Sequence, residues 1–339
     1  MKKIGLIGAG KMGISHLSIL GAHPDVEVVG VAETSTIVSD VLKRYTSFDV
    51  YSDYTQLISE KKPDAVFVSV PTKYHEPIVQ HLLDHHINVF VEKPFSLNTI
   101  NGKKLVQEAM QKNICNQVGY HNKFIGTFME AKRIIDAGSL GHIQYFIGNM
   151  NGPVVTKRKE QTWRSKPEEG GGCLMDYAAH LIDLINHIVS PITTVHGADL
   201  LSFYSASVED AVSCLLETQN RIHGTILVNW SDETYRKMST CLTILGTKGK
   251  LIVDSTELKV FFQEPNPFEN YSKGWNVKHI NELSPHVDFY LRGEEYSLQI
   301  DHFIRVLQGR LPNSINTFET ALQTDIVIQQ IRLHKTQRR

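Results

Sequence analysis

The chain has 339 residues, enough for two domains of ordinary size, and 41% hydrophobic with 21% charged residues is the balance of a soluble globular protein. A formal net charge of -1 gives no basis for a nucleic-acid or membrane-surface partner. Four cysteines, Cys115, Cys173, Cys214 and Cys241, form no C-x-x-C pair, a spacing that gives neither a disulfide framework nor a zinc site and suits a reducing cytosol.

The first third alternates strand-like and helix-like segments. KIGLIG reads as a strand, KMGISHLSILGAH as a helix, VEVVGVAE as a strand and SDVLKRYTS as a helix. DAVFVSV, the helix EPIVQHLLDHH, NVFVE, the helix TINGKKLVQEAMQKN and the strand ICNQVGY follow. The strand runs are nearly continuously apolar, as when both faces of a parallel sheet are covered. The first apolar stretch ends too early, at Gly8, Gly10 and Lys11, for a secretory signal, and no apolar run is long enough for a bilayer. The expectation is a cytoplasmic α/β Rossmann domain over residues 1–121.

After residue 121 the pattern changes. FIGTFMEAKRIIDAG is an amphipathic helix, HIQYFIGNM a strand, residues 152–172 an irregular loop and LMDYAAHLIDLINHIV a helix. Strand-like runs then follow without helices between them: TTVHGADLLSF, SVEDAVSCLLET, RIHGTILVNWS, STCLTILG and KLIVDS, the last two joined by a TKGK turn. Residues 264–294 receive no assignment, and the helices EYSLQIDHFIRVLQG and TFETALQTDIVIQQIRLHK close the chain. Residues 122–339 therefore read as an α+β domain with an open, mainly antiparallel sheet, whose closing helix has the option of packing back on the first domain.

Three stretches carry chemistry. GAGKMG, with Gly8, Gly10, Lys11, Met12 and Gly13, joins the first strand to a helix in the G-x-G-x-x-G pattern, which aims a helix N-terminus at a pyrophosphate. Glu33 ends the second strand 20 residues past Gly13, where a carboxylate accepts from ribose hydroxyls and repels a 2′-phosphate. No arginine follows it directly, so NAD is favoured over NADP. SVPTKYH places Pro71 and Thr72 at the carboxyl edge of the sheet, where ligands bind in open α/β folds. His75 has two readings, a cofactor contact or a residue of the next helix's first turn. NVFVEKPFS ends a buried strand in Glu92, Lys93 and Pro94, and the proline pushes Lys93 into extended geometry. A cis Lys93–Pro94 bond is one option there. Glu92 either holds Lys93 in place or faces water. In GGGCLMDYAAHLID, three glycines fit where backbone passes close to a ligand. Asp176 and His180 share a helix face, which Asp183 continues, so an acid can orient an imidazole there. The alternative is a helix N-terminus complemented by Asp176 and a packed His180.

GLIGAGKMG, the E-K-P of VEKPFS and the glycine-led D-x-x-x-H helix, in that order, resemble the glucose–fructose oxidoreductase / inositol dehydrogenase / MocA-like family over essentially the whole chain. The resemblance implies that Lys93 and His180 serve a reacting carbinol with Asp176 assisting, and that Trp163 and Arg164 lie near the cofactor together with Glu92. GYHNKF matches a substrate segment, with His121 and Asn122 beside Lys123 where the family usually has arginine, and Tyr177 joins them. In that reading Lys93 stands beside the nicotinamide and faces His180. The substrate is then a sugar, cyclic polyol or sugar nucleotide, and no metal is required. TKRKEQTWR offers Lys157, Arg158 or Lys159 to a nucleotide diphosphate, or is simply a solvated loop. An NAD-dependent glycosidase with transient ring oxidation and a non-catalytic dinucleotide- or sugar-sensing regulator remain alternatives. Runs such as TCLTILG and KLIVDS offer apolar side chains to both faces, so a homodimer or homotetramer is expected.

Overall fold

A computed structural model describes residues 1–157, 162–266, 271–287 and 293–337. In chain order the elements are β1 (Lys2–Ile7), α1 (Lys11–Ala22), β2 (Val26–Ala32), α2 (Thr36–Tyr45), β3 (Val50–Tyr51), α3 (Tyr54–Lys61) and β4 (Ala65–Val68). Then come α4 (His75–Asp84), β5 (Asn88–Val91), α5 (Thr99–Gln111), β6 (Asn116–Val118), α6 (Gly126–Asp136), β7 (Ile143–Asn151) and α7 (Ala179–Ile188). The chain continues through β8 (Ile192–Leu201), β9 (Ala211–Thr218), β10 (His223–Asn229), β11 (Ser239–Gly246), β12 (Gly249–Asp254), β13 (Glu257–Phe262) and β14 (Gly274–His279). It ends with α8 (Ile280–Leu283), α9 (Glu294–Leu307) and α10 (Phe318–Gln337).

The chain divides into two compact units. The first, Met1–His121 with Val287–Leu322, holds a six-stranded sheet of order β3-β2-β1-β4-β5-β6, parallel throughout. This is the doubly wound Rossmann order, and its ligand crevice lies where the order reverses, between β1 and β4. All four residues of β4 and three of the four in β5 are buried, which explains their unbroken apolar character. Helix starts are fixed by side-chain caps: Asp53 accepts from the Thr55 amide before α3, and Asn98 accepts from Ile100 and Asn101 before α5. Helix α9 returns to this unit, where Ile300, Phe303 and Ile304 join Phe67 and Phe90 in one core.

The second unit, Asn122–His286 with Gln323–Arg339, holds an eight-stranded sheet of order β14-β13-β12-β11-β7-β10-β9-β8. All neighbours are antiparallel except β7 and β10, which run parallel. Burial alternates strictly along β11, β12 and β13, so one face of the sheet is covered and the other is open. Helix α6 lies against β12 and β13, and α7 against β7, where Leu181 and Ile185 approach Gly148. Five elements had no counterpart in the sequence reading: β3, α3, β13, β14 and α8. β3 has two residues, too few for a period, and β14 is an edge strand that leaves its apolar Trp275 and Val277 exposed.

Candidate active site

In the first unit the glycine loop divides its tasks. Gly8 has φ +89, and a Cβ there would lie 2.6 Å from the Ser69 carbonyl oxygen. At Gly13 a Cβ would meet the Gly8 carbonyl at 2.0 Å, so the helix can close on the strand only without one. Gly10 caps α1, and a Cβ there would meet nothing within 4 Å. An open backbone position at a helix N-terminus with no acid in its first turn is what a pyrophosphate requires. Lys11 is exposed and Met12 half-buried beside it. Glu33 leans into this loop: its Oε2 accepts the Ala9 amide at 2.7 Å and its Oε1 the Ser35 amide at 2.7 Å. Each oxygen keeps a further lone pair, so the carboxylate is oriented with acceptor capacity left for a ribose.

The E-K-P turn is built around a largely buried carboxylate, 13% exposed. Glu92 Oε1 lies 2.6 Å from His16 Nε2, and its Oε2 accepts the Lys93 amide at 3.2 Å. Burial pushes the Glu92 carboxyl up, but the His16 bond and the nearby charges of His16, Lys93 and His121 hold it below its ordinary value. A Cβ at Gly119 would strike both carboxylate oxygens. Glu92 therefore holds Lys93 through its backbone, one of the two readings of the sequence, and the Lys93–Pro94 bond is cis. His16, fully buried on α1 against Phe67 and Phe90, was not singled out in the sequence. Its signal was its place on the inner face of the glycine-loop helix. His121 is buried and stacks on Tyr296, with centroids 4.7 Å apart.

Pro71 is exposed and Thr72 buried at the end of β4. His75 opens α4 and is 1% exposed, with Nδ1 2.9 Å from the Pro94 carbonyl and Nε2 3.0 Å from that of Val70. Burial lowers its pKa despite these bonds. It thus ties the loop after β4 to the E-K-P turn, and the reading of a first-turn helix residue fits it better than an open cofactor contact.

In the second unit Asp176, Tyr177 and His180 lie on a helix whose first turn, Leu174–Ala178, is π-helical before α7 begins. Such turns are rare and frequent at functional sites. Asp176 and His180 are both buried. Arg164 Nε donates to Asp176 Oδ2 at 3.0 Å, while its guanidinium stacks 4.5 Å from the Trp163 ring centre. The Tyr177 phenol is pushed up, first by burial and then by the Asp176 charge. The preceding glycines bend for the protein's own groups. Gly172 has φ +102 and a Cβ there would lie 2.2 Å from Glu209 Oε1, the oxygen that accepts the Leu174 amide. At Gly171 a Cβ would meet the Arg164 carbonyl at 2.4 Å. Close approach to a ligand, expected from the sequence, is not what requires these two. Lys123 is 3% exposed, and its ammonium donates to Asp183 Oδ1 at 2.9 Å. Asn122 is also buried, and its Nδ2 finds no partner among the described residues. Lys157 is exposed, and Arg158 and Lys159 lie outside the described residues.

Two family models match. Residues 2–120 match the oxidoreductase family with an NAD-binding Rossmann fold, and residues 128–252 the GFO/IDH/MocA C-terminal domain. The chain belongs to the GFO/IDH/MocA oxidoreductase family. Among family relatives, scyllo-inositol 2-dehydrogenase (NAD(+)) of Bacillus subtilis is 24% identical over 195 residues, 57% of this chain and 55% of that protein. The chain spans about half the length of several curated relatives it matches. Among solved structures, levoglucosan dehydrogenase in complex with NADH superposes with TM-score 0.88 at 20% identity, covering 99% of this chain and 97% of that one. The WlbA dehydrogenase of Bordetella pertussis, in complex with NADH and UDP-GlcNAcA, gives 0.85 at 22% identity, covering 99% and 96%. These two likenesses establish the shared family fold. Among the described residues no helix is long and apolar enough to cross a membrane.

Proposed function

We propose that this chain is an NAD-dependent oxidoreductase that oxidises a secondary alcohol of a sugar, cyclic polyol or sugar nucleotide, giving a ketone, NADH and a proton. The observation that supports it most is within the first unit: the open Gly10 amide corner, the oriented Glu33 carboxylate and Lys93 gather at the carboxyl ends of β1, β2 and β5. The nicotinamide, when bound, supplies the hydride acceptor. Gly8, Gly10 and Gly13 shape the pyrophosphate seat, and Glu33 accepts from the adenosine ribose and disfavours a 2′-phosphate. Lys93 donates a hydrogen bond to the carbinol oxygen, and His180 takes its proton. Asp176, tied to Arg164, orients the histidine helix and the Trp163–Arg164 pair. Asn122 has a buried amide nitrogen available to a substrate hydroxyl. The large sheet's open face exposes Leu215 by 45% and Leu227 by 54%, and we assign it to self-association as a homodimer or homotetramer.

The test is incubation of the protein with NAD and a panel of polyols, sugars and sugar nucleotides, following NADH and products. Stoichiometric NADH with a ketone product is expected. A cleaved glycoside without free NADH would replace the proposal by the glycosidase reading. Dinucleotide binding without turnover across the panel would replace it by the regulatory one.

A further inference from the structure

We propose that the open face of the second unit's sheet carries a binding site for a divalent transition-metal ion of the zinc class, held by His196, Glu217 and His223. The three come from adjacent strands, β8, β9 and β10. Glu217 lies directly opposite His223 in the β9–β10 ladder. A register shift between Val195 and Gly197 in β8 brings His196 to the same place. His196 Nε2 is 2.7 Å from Glu217 Oε2, and the two imidazoles stack with centroids 5.5 Å apart at 29°. One donor atom from each residue lies within 4.8 Å of the other two. Tetrahedral zinc with bonds of ~2.0–2.2 Å needs donors roughly 3.4 Å apart, a spacing between the 2.7 Å of His196–Glu217 and the 4.8 Å limit of the cluster. Strand pairing has already fixed the backbone.

The donor set suits this class of ion. Two imidazoles and one carboxylate form a recurrent zinc triad that leaves a fourth position for water or another ligand. A glutamate carboxylate is ionised at neutral pH and supplies the anionic ligand. Arg221 is the competing cation: its Nε lies 3.6 Å from Glu217 Oε1, but its side chain is 89% exposed and can swing into water. The sequence reading required no metal, because positions 196, 217 and 223 show no ligand spacing and meet only through the strand ladder. None of the three has a role in the chemistry proposed above, although Glu217 and His223 share with Leu215 and Leu227 the face assigned to self-association.

Chelator-treated full-length protein titrated with zinc chloride should bind one equivalent per chain by calorimetry. Cobalt chloride should give the visible absorption of a four- or five-coordinate ion. His223→Ala and Glu217→Gln should each weaken zinc at least about tenfold, since even changes outside the ligand set cost 10–100-fold. Arg221→Ala should tighten binding by removing the competing charge, and this exposed substitution guards against a folding artefact in the other two. Absence of saturable zinc binding would overturn the proposal. So would binding that survives His196→Ala/His223→Ala unchanged, or that is insensitive to Arg221→Ala.

Discussion

Replacing His16 by Leu isolates the polar part of the His16–Glu92 contact, because leucine keeps most of the volume packed on Phe67 and Phe90. The pair is 2.6 Å apart, with side-chain exposures of 0% and 13%. Removing the donor of a hydrogen bond to a charged group costs about 1.5–3 kcal/mol. With Glu92 partly open, ~2 kcal/mol at pH 7 is expected. The pH dependence is the sharper signature. The folded-state pKa of Glu92 lies below 4.5, so its contribution to stability is present above that value and is lost as pH falls through the folded pKa. In the variant, burial acts without the His16 bond and only the charges of Lys93 and His121 oppose it, so the carboxyl pKa rises and less stability is gained as pH rises. The gap between the proteins should therefore be widest at neutral pH and narrow in acid. Urea unfolding of both full-length proteins from acid to neutral pH measures it. A gap under about 1 kcal/mol at pH 7, no more than one ordinary hydrogen bond, would refute the reasoning. So would a gap of equal size at every pH.

Glu33→Ser should relax the preference for NAD over NADP, because both the ribose acceptor and the repulsion of a 2′-phosphate go; fluorescence titration of both cofactors reads it, and tighter NADP than NAD binding by the wild type would contradict the role of Glu33. Burial, aided by the charges of Lys123 and Lys132, lowers the pKa of His187 from 6.5 to about 3. The stability it confers is complete above 6.5 and is lost as pH falls toward about 3, so His187→Gln should flatten that acid limb by a few kcal/mol, at ~1.4 kcal/mol per unit. Thermal melts against pH decide this. Light scattering at micromolar concentration should give the mass of a dimer or tetramer, and a monomer would contradict the assignment of the open sheet face.

Both domain types were legible because their signals are local. β4 and β5 are short apolar runs because they are buried on both faces, whereas β11 alternates in burial but carries apolar Cys241 and Leu245 on its half-buried face as well. The parallel pairing of β7 with β10 was hidden, since pairing between residues 78 apart, such as His223 with Tyr145, leaves no trace in either strand's own sequence. The glycine loop and Glu33 were legible for the same local reason, whereas the π-helical turn over Leu174–Ala178 departs from the helical spacing on which the Asp176–His180 face was read. His16 was not, because its partner Glu92 is 76 residues away. The glycines before α7 drew attention, but their need comes from Arg164 and Glu209, whose approach only the folded chain shows. Lys123 read as a candidate substrate contact, and its neighbour Asp183, 60 residues on, was visible only as a helix-face residue.

The role of Lys93 in the chemistry is tested most directly by Lys93→Met, assayed on one preparation for NADH formation, NAD affinity and melting temperature. Turnover should fall by about 10²–10⁴, the usual contribution of a positioned acid/base group. NAD affinity should change little, because the pyrophosphate seat is made by Gly8, Gly10 and Gly13. The melting temperature should also hold, because the Lys93 backbone amide that donates to Glu92 is kept in the methionine variant. Near-intact turnover per folded, NAD-bound molecule, together with a lower melting temperature and weakened NAD, would contradict the account and leave Lys93 a structural residue.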